Sequence, residues 1–265
     1  MGAWILCRRF CSAFLDTFLP DLVLPLPCLA GPLKGMVMEI SLKDERHFLY
    51  GNFESDVIKT IVNVVKPGNI VYDVGAHVGY HTLLFSRLVG LKGHCIAFEP
   101  SDKVFQRLGS NIQRNRRRLQ ARVDTMDVAL YSETGHKEFF TGGSTSTGRL
   151  VRFPKEGARG RIITVPVTTI DRLVANGAPL PDIIKIDVEY TEDHVIRGAL
   201  DTIGGHQVII LCEIHAKDTG INCFNLLRSA SYKIRHMETG HLWDSPDSVS
   251  IGHIIAFPAG SQNKC

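Results

Sequence analysis

Short apolar runs alternate with amphipathic segments from residue 69 to residue 260. The apolar runs predict strands at residues 69–74, 94–98, 121–130, 138–141, 162–167, 182–187, 207–212, 232–237 and 253–257. Helical spacing of apolar residues predicts helices at residues 80–88, 101–115, 191–203 and 222–229, with a short helix starting at Asp171. Repeated strand–helix units indicate an α/β fold with a mostly parallel sheet and helices on both faces. A closing hairpin would make the last strand antiparallel.

The first strand–helix unit contains a turn framed by two glycines. The strand ends at Asp73, the turn follows from Gly75 to Gly79, and the next strand ends at Glu99. Glycine has no Cβ, so the backbone of such a turn can pass close to a ligand. A carboxylate at the position of Glu99 can accept both ribose hydroxyls of a bound nucleoside. The unit therefore predicts a nucleoside site, although a single glycine turn can also serve packing alone.

The spacing of the glycines indicates which nucleoside is bound. A dinucleotide site would have the pattern G-x-G-x-x-G, but this chain has D-x-G-x-x-x-G with His77 in place of the second glycine. Asp73 would repel a pyrophosphate and would suit an ammonium or a sulfonium. The pattern therefore predicts S-adenosylmethionine and disfavours NAD.

Acids and an imidazole follow three further predicted strands. Asp127 ends the third strand, where a carboxylate can accept the adenine amino group; an ordinary turn acid is the equally weighted alternative. The remaining candidates follow the next two strands of the parallel set: Asp187, Glu189, Glu213 and His215. Lys185, inside one of these apolar runs, is costly to bury unless it pairs with a carboxylate. We expect all these groups on one rim of the sheet.

In this order the motifs resemble those of the FkbM-type methyltransferases. The resemblance covers residues 69–237 and rests on DVGAHVGYHTLLFS, AFEPSDKVFQRLGSNIQRN, VDTMDVAL, TTIDRLV, PDIIKIDVEYTEDHVIRGA and VIILCEIH. It implies the Rossmann-like class I methyltransferase fold, with a seven-stranded sheet, and S-adenosylmethionine as the cofactor. It also implies methylation of a hydroxyl on a sugar or a secondary metabolite.

The resemblance also implies roles for individual residues. Cofactor-binding positions are expected at Asp73, Gly75, Ala76, His77, Gly79, Glu99, Asp127 and Val128. Asp187, Glu189 and Glu192 match a D-x-E-G-x-E segment. Tyr190 stands where family members usually have glycine, and its side chain would reshape the mouth of the acceptor site.

Methyl transfer to an alcohol requires alignment of the acceptor and removal of its proton. His215 has a suitable ordinary pKa to act as the base. Asp187 or Glu189 can serve instead, or can orient the acceptor hydroxyl. Asp187 and Glu213 are also suitable oxygen ligands for Mg²⁺. Two acids alone are weak evidence for a metal site, so we expect a site without metal.

Composition narrows the class of protein. With 265 residues, 44% of them hydrophobic, the chain can bury a full core, and its net charge of +3 is too small to indicate nucleic acid. Its seven cysteines contain no C-x-x-C pair, which indicates reduced thiols in a cytoplasmic protein. Cys95 and Cys212 lie in apolar runs and are expected to be buried. The pattern does not indicate an oligomeric state.

The N-terminal residues differ from the rest of the chain. Residues 1–35 are apolar but interrupted by charges and prolines, so no stretch reaches the ~20 apolar residues of a membrane helix. We expect an extension at 1–35 that packs on the domain or over its cleft, a helical lead-in at 36–68, and the methyltransferase domain at 69–260. A peripheral membrane contact through palmitate on Cys7 or Cys11 is the minority alternative.

An arginine run and the side chain of Tyr190 suggest two alternative functions. A nucleic-acid methyltransferase is suggested by an arginine run that includes Arg116, Arg117 and Arg118, but this run lacks interleaved aromatic residues for base stacking. A scaffold that binds cofactor without catalysis, with Tyr190 closing the acceptor site, is another alternative. The expected partner is a small-molecule or glycan acceptor.

Overall fold

The chain divides into two structural units, Met1–Phe53 and Glu54–Cys265. The computed structural model describes residues 22–51, 53–142, 148–151 and 160–260. In the first unit, strand β1 (Val23–Pro27) pairs antiparallel with strand β2 (Val37–Ser41), and helix α1 (His47–Tyr50) follows. Residues 1–21 of the expected extension, with Cys7 and Cys11, lie outside the described residues.

The second unit contains the alternating strands and helices that the apolar pattern predicts. Its strands are β3 (Ile70–Val74), β4 (His94–Phe98), β5 (Arg122–Met126), β6 (Ala129–Leu130), β7 (Gly135–Phe140), β8 (Arg149–Leu150), β9 (Ile162–Thr168), β10 (Ile183–Ile186), β11 (Ile209–Ile214), β12 (Tyr232–His236), β13 (Leu242–Trp243) and β14 (Gly252–Pro258). Its helices are α2 (Ser55–Val64), α3 (Tyr80–Val89), α4 (Asp102–Asn115), α5 (Ile170–Ala175), α6 (Glu192–Arg197), α7 (Leu200–Gly205) and α8 (Lys217–Ser229), with a 3₁₀ turn at Pro246–Ser248.

The main sheet has the order β13-β12-β14-β11-β10-β3-β4-β5. Strands β11, β10, β3, β4 and β5 are parallel, whereas β14 runs antiparallel to both β11 and β12. The predicted α/β class and the antiparallel last strand are therefore confirmed. The expectation of seven strands is wrong by one, because the two-residue strand β13 adds to the edge beside β12.

Two predicted elements are divided in the structure. The strand predicted at residues 121–130 leaves the main sheet after Met126, passes the exposed Asp127, and continues as β6 in a second sheet of order β6-β9-β7-β8. The helix predicted at residues 191–203 is interrupted at Gly198, whose carbonyl oxygen accepts a hydrogen bond from the backbone N–H of Asp171. Apolar periodicity alone does not show such interruptions, because apolar residues continue on both sides of each one.

The largest apolar core lies around the main sheet. It includes Tyr72, Phe98, Ile184 and Ile210, which come from four neighbouring strands, together with buried residues of α6 and α8. Burial of apolar surface of this kind is the main term that holds the strands in place. Cys95 and Cys212 are buried free thiols, as expected. Among the described residues, no helix is long and apolar enough to cross a membrane.

Candidate active site

One row of the sheet register explains why the candidate residues share a rim. Cys212, Ile186, Val74, Phe98 and Met126 lie side by side on β11, β10, β3, β4 and β5. The residue that follows each strand is a candidate site residue in all five cases: Glu213, Asp187, Gly75, Glu99 and Asp127. Because these strands are parallel, their carboxyl ends meet at the edge where open α/β sheets bind ligands.

The turn after β3 requires both of its glycines. Gly75 has φ 77° and Gly79 has φ 92°, in the left-handed region that side chains with a Cβ rarely adopt. A Cβ on Gly75 would collide with the carbonyl oxygen of Asp187, and one on Gly79 would lie 2.7 Å from Cδ1 of Leu108. The glycines therefore allow the turn to pack tightly against β10 and α4. This packing role is the alternative that the sequence analysis set beside close approach to a ligand.

Glu99 is anchored where a ribose-binding acid is expected. Its Oε2 accepts a hydrogen bond from the backbone N–H of His77 at 3.1 Å, and its Oε1 accepts one from the N–H of Ser101 at 2.9 Å. Burial raises the pKa of Glu99 to about 7, although the two amide hydrogen bonds oppose the change. Each carboxylate oxygen has a second lone pair, so the group can accept further hydrogen bonds from a ligand.

The other residues expected to bind cofactor differ in exposure. Asp127 is exposed directly after β5, whereas Val128 is buried against the main core. Ala76 is buried and packs with Leu108 of α4. His77 has φ 52°, and its N–H is the one that holds Glu99.

Lys185 is buried between two carboxylates, as the sequence predicted. Its Nζ lies 3.1 Å from Oδ2 of Asp187 and 3.6 Å from Oδ1 of Asp73. Asp73 has no exposed surface, and its Oδ2 accepts a hydrogen bond from the hydroxyl of Thr82 at 2.6 Å. Burial opposes ionisation, but Lys185 and His215 hold the pKa of Asp187 well below its usual range. Asp73 thus faces internal partners, and its expected place at the cofactor stays a prediction.

His215 lies at the centre of a group of carboxylates. Its Nδ1 lies 2.6 Å from Oε1 of Glu192, and its Nε2 lies 3.6 to 3.9 Å from single oxygens of three other acids: Glu213, Glu189 and Asp187. Burial alone would lower the pKa of His215, but the hydrogen bond to Glu192 and the surrounding carboxylates raise it to about 9. His215 therefore carries a proton at neutral pH. The structure brings together all four residues that the sequence nominated for catalysis.

The backbone conformation before α6 explains why the family pattern D-x-E-G-x-E has glycine at the position of Tyr190. Glu189 has φ 45° and Tyr190 has φ 68°, so two successive residues occupy the left-handed region. Glycine adopts this region without steric cost, whereas a residue with a Cβ is strained by roughly 1–2 kcal/mol. The ring of Tyr190 is 40% exposed and its centroid lies 5.9 Å from that of the His215 ring.

Three acid–imidazole contacts at this rim were not predicted from the sequence. His253 on β14 lies directly opposite Glu213 on β11, and its Nε2 is 3.3 Å from Oε2 of that residue. Nδ1 of His253 lies 2.7 Å from Oε1 of Glu238. Glu54, just before α2, places Oε2 3.5 Å from Nε2 of the buried His81. No local motif marks these residues, because the contacts depend on the register of β14 and on the approach of a distant loop.

Comparison with known proteins agrees with this arrangement. A sequence profile described as the methyltransferase FkbM domain matches residues 73–255. The chain is 29% identical over 164 residues to the hexuronic acid methyltransferase AglP of Haloferax volcanii, over 62% of this chain and 63% of that protein. It is 26% identical over 205 residues to the 31-O-demethyl-FK506 methyltransferase FkbM of Streptomyces tacrolimicus, over 66% of this chain and 76% of that protein.

The fold is similar to the crystal structure of a methyltransferase FkbM from Methylobacillus flagellatus. The TM-score is 0.53 at 16% sequence identity, and the match covers 97% of this chain and 60% of that one. Fold and rim therefore define an α/β protein of the class I methyltransferase type. The profile matches more than half of the chain, and the chain belongs to the FkbM methyltransferase domain family. The chain spans less than two thirds of the length of the Haloferax relative.

Proposed function

We propose that this protein transfers the methyl group of S-adenosylmethionine to a hydroxyl of a sugar or secondary-metabolite acceptor. The observation that carries the proposal is the single register row that ends in Gly75, Glu99, Asp127, Asp187 and Glu213. It gives one rim both a nucleoside-binding half, on β3 to β5, and an acid–imidazole half, on β10 and β11.

The nucleoside half suits the adenosyl portion of the cofactor. Glu99 is fixed by two backbone amides and retains lone pairs for ribose hydroxyls. The exposed Asp127 follows the neighbouring strand, where it can accept the adenine amino group. When bound, the cofactor supplies an electrophilic methyl carbon on its sulfonium. The Gly75–Gly79 turn follows β3, the strand of this half that adjoins β10.

The acid–imidazole half suits an alcohol acceptor that must lose its proton. Because His215 is already protonated at neutral pH, a carboxylate beside it is the better proton acceptor. Burial raises the pKa of Glu189, although His215 opposes the change. Asp187 is half-buried, and the neighbouring ammonium group of Lys185 keeps it ionised. We therefore assign Glu189 as the base and Asp187 as the group that orients the acceptor hydroxyl, with His215 positioning both.

The acceptor class is inferred from the relatives. One is named as a hexuronic acid methyltransferase and the other as a 31-O-demethyl-FK506 methyltransferase. The acceptors in these names are small molecules or glycans, and we propose the same class for this chain. We propose no nucleic-acid acceptor.

Binding of cofactor is tested first, by isothermal titration with S-adenosylhomocysteine and with NAD as the control ligand. We expect micromolar binding of S-adenosylhomocysteine alone. Glu99→Ala should weaken this binding, because it removes the ribose acceptor. The absence of binding, or an unchanged dissociation constant in Glu99→Ala, would contradict the cofactor site.

Transfer is then tested with labelled S-adenosylmethionine against a panel of hydroxylated sugars, uronic acids and macrolides. We expect Asp187→Ala to abolish transfer while S-adenosylhomocysteine affinity stays within about tenfold of wild type, because Asp187 acts on the acceptor. Tight cofactor binding without transfer to any acceptor would instead support a non-catalytic scaffold.

A further inference from the structure

We propose that the rim of β10, β11 and β14 binds a divalent transition-metal ion, with Glu213 as the central ligand. Two groups of three residues place one donor atom each within 4.8 Å of the others: Asp187, Glu213 and His215, and Glu54, Glu213 and His253. Glu213 belongs to both groups. Ligand atoms lie ~2.0–2.2 Å from a small divalent ion, so neighbouring donors of a tetrahedral site lie ~3.4 Å apart. A donor pair at the 4.8 Å limit would therefore have to approach by about 1 Å when an ion binds.

Rigid strands hold the ligands in these positions. Glu213 and His215 are two residues apart at the end of β11, so their side chains point to the same face of the sheet. His253 faces Glu213 from the antiparallel strand β14. Asp187 follows β10, the parallel neighbour of β11 on its other side. Donors from three adjacent strands therefore converge on one carboxylate.

The orientation of both imidazoles is that of metal-bound histidine. The second ring nitrogen of such a histidine usually donates a hydrogen bond to a carboxylate, which fixes the ring. The first nitrogen then binds the ion, and the ion displaces the proton that this nitrogen carries in its absence. Nδ1 of His215 is 2.6 Å from Glu192, and Nδ1 of His253 is 2.7 Å from Glu238. Neither of these acids belongs to the proposed ligand set. In both rings Nε2 is directed towards Glu213, at 3.6 Å and 3.3 Å.

Buried polar atoms at the rim give a second, independent observation. Nε2 of His253 is buried and lies 3.3 Å from Oε2 of Glu213 and 4.0 Å from Oε2 of Glu54, in ion-pair contacts that lack good hydrogen-bond geometry. An ion placed among these three groups would coordinate the nitrogen directly. His81, whose side chain is 6% exposed, also points its Nε2 into the group, 3.5 Å from Oε2 of Glu54.

The donor types indicate which ions fit. Two imidazole nitrogens with carboxylate oxygens suit Mn²⁺, Co²⁺ or Zn²⁺, whereas Ca²⁺ prefers oxygen ligands alone. The sequence analysis considered only Asp187 and Glu213 as metal ligands and expected no metal. The structure places the nitrogens of His215, already expected at this rim, and of His253 beside them. An ion at Glu213 would lie beside Asp187, where it can polarise an acceptor hydroxyl.

The test is a titration of the full chain with Mn²⁺ after bound metal has been removed with a chelator. Binding is measured as the decrease of the electron paramagnetic resonance signal of free Mn²⁺. We expect one or two Mn²⁺ ions to bind per chain. Zn²⁺ should displace the bound Mn²⁺, whereas Ca²⁺ at the same concentration should not. The spectrum of bound Mn²⁺ should show hyperfine coupling to imidazole nitrogen. Glu213→Gln should lower the affinity 10–100-fold. His206→Gln is the matched control, because this exposed histidine precedes β11 at the opposite end of the strand.

His253→Gln provides a second variant if Glu213→Gln does not fold, and a thermal melt of each variant checks folding. Mn²⁺ that stays free up to millimolar concentration with the wild-type chain would overturn the proposal. Equal affinity in the folded Glu213 and His206 variants would do the same. The titration contains neither cofactor nor acceptor, so its outcome is independent of whether methyl transfer is found.

Discussion

Nδ1 of His215 lies 2.6 Å from Oε1 of Glu192, a fully buried carboxylate in the first turn of α6. The same oxygen also accepts the backbone N–H groups of Tyr190 and His215, at 3.1 Å and 3.2 Å. One acid thus ties the strained segment after β10 to the end of β11. It fixes the ring of His215 without belonging to the exposed part of the rim.

Replacing this acid with its amide tests the link. Glu192→Gln removes the charge that faces the His215 ring and disturbs hydrogen bonds in a buried place. We expect the free energy of unfolding to fall by ~1–3 kcal/mol. We expect kcat to fall 10–100-fold, as for other residues that orient a functional histidine, with the affinity for S-adenosylhomocysteine unchanged. Denaturant unfolding, transfer kinetics and calorimetric titration measure the three quantities.

Asp193→Asn is the control for Glu192→Gln. Asp193 is the next residue on α6 and is also buried, but its Oδ2 accepts a hydrogen bond from the side chain of Asn222 at 2.9 Å. Loss of the Asp193 carboxylate should lower the free energy of unfolding without a comparable fall in kcat. A similar fall of kcat in both variants would mean that His215 is not specifically positioned by Glu192.

Lys185 gives a prediction about stability. Its ammonium group is buried between Asp73 and Asp187. Lys185→Met leaves these carboxylates without their cation, and removing one partner of a buried pair costs ~3–5 kcal/mol. We expect a loss of that size in urea unfolding at neutral pH. Adding Asp73→Asn should recover part of it, because the two substitutions act on one interaction. Strictly additive losses would show that the pair is not coupled.

The residues on the parallel strands were predictable because they depend on local information. A strand end is visible as the point where an apolar run meets a polar residue, and parallel strands bring such ends to one edge. Glu99, Asp187 and Glu213 followed from that rule alone. The pairing of Lys185 with a carboxylate followed from the cost of burying an unpaired charge.

The remaining contacts depend on information that no local pattern contains. His253 reaches Glu213 only because β14 inserts between β11 and β12 in a particular register, about forty residues along the chain from its partner. Glu54 approaches His81 from outside the strand–helix repeats. The departure of the chain from the main sheet at Asp127 is likewise set by pairing of β6 with the distant strand β9.

The glycine turn gives a prediction that separates strain from collision. Gly177 has φ 93°, close to the value at Gly79, but a Cβ there would meet nothing within 4 Å. Gly177→Ala should therefore lower the free energy of unfolding only by the strain of a left-handed residue that has a Cβ, ~1–2 kcal/mol. Gly75→Ala adds a collision with the carbonyl oxygen of Asp187 and should cost clearly more, with loss of transfer because Asp187 moves. Thermal or urea unfolding of the two variants compares them directly, and equal costs would show that the turn does not pack tightly on β10.

Glu99 gives a prediction about pH. Its pKa in the folded chain is raised to about 7 from an ordinary value of 4.5, chiefly by burial. Between these values the folded chain retains a proton that the unfolded chain has released, so this group lowers the free energy of unfolding as pH rises through that window. The ionised carboxylate is the better acceptor for ribose hydroxyls, and its fraction rises about tenfold from pH 6 to pH 8 for such a pKa. The dissociation constant of S-adenosylhomocysteine should fall by that factor over the same range, as measured by calorimetric titration. Glu99→Gln should bind more weakly at pH 8 and show a flat profile; a profile parallel to that of wild type would assign the pH dependence to another group and remove Glu99 from the ribose site.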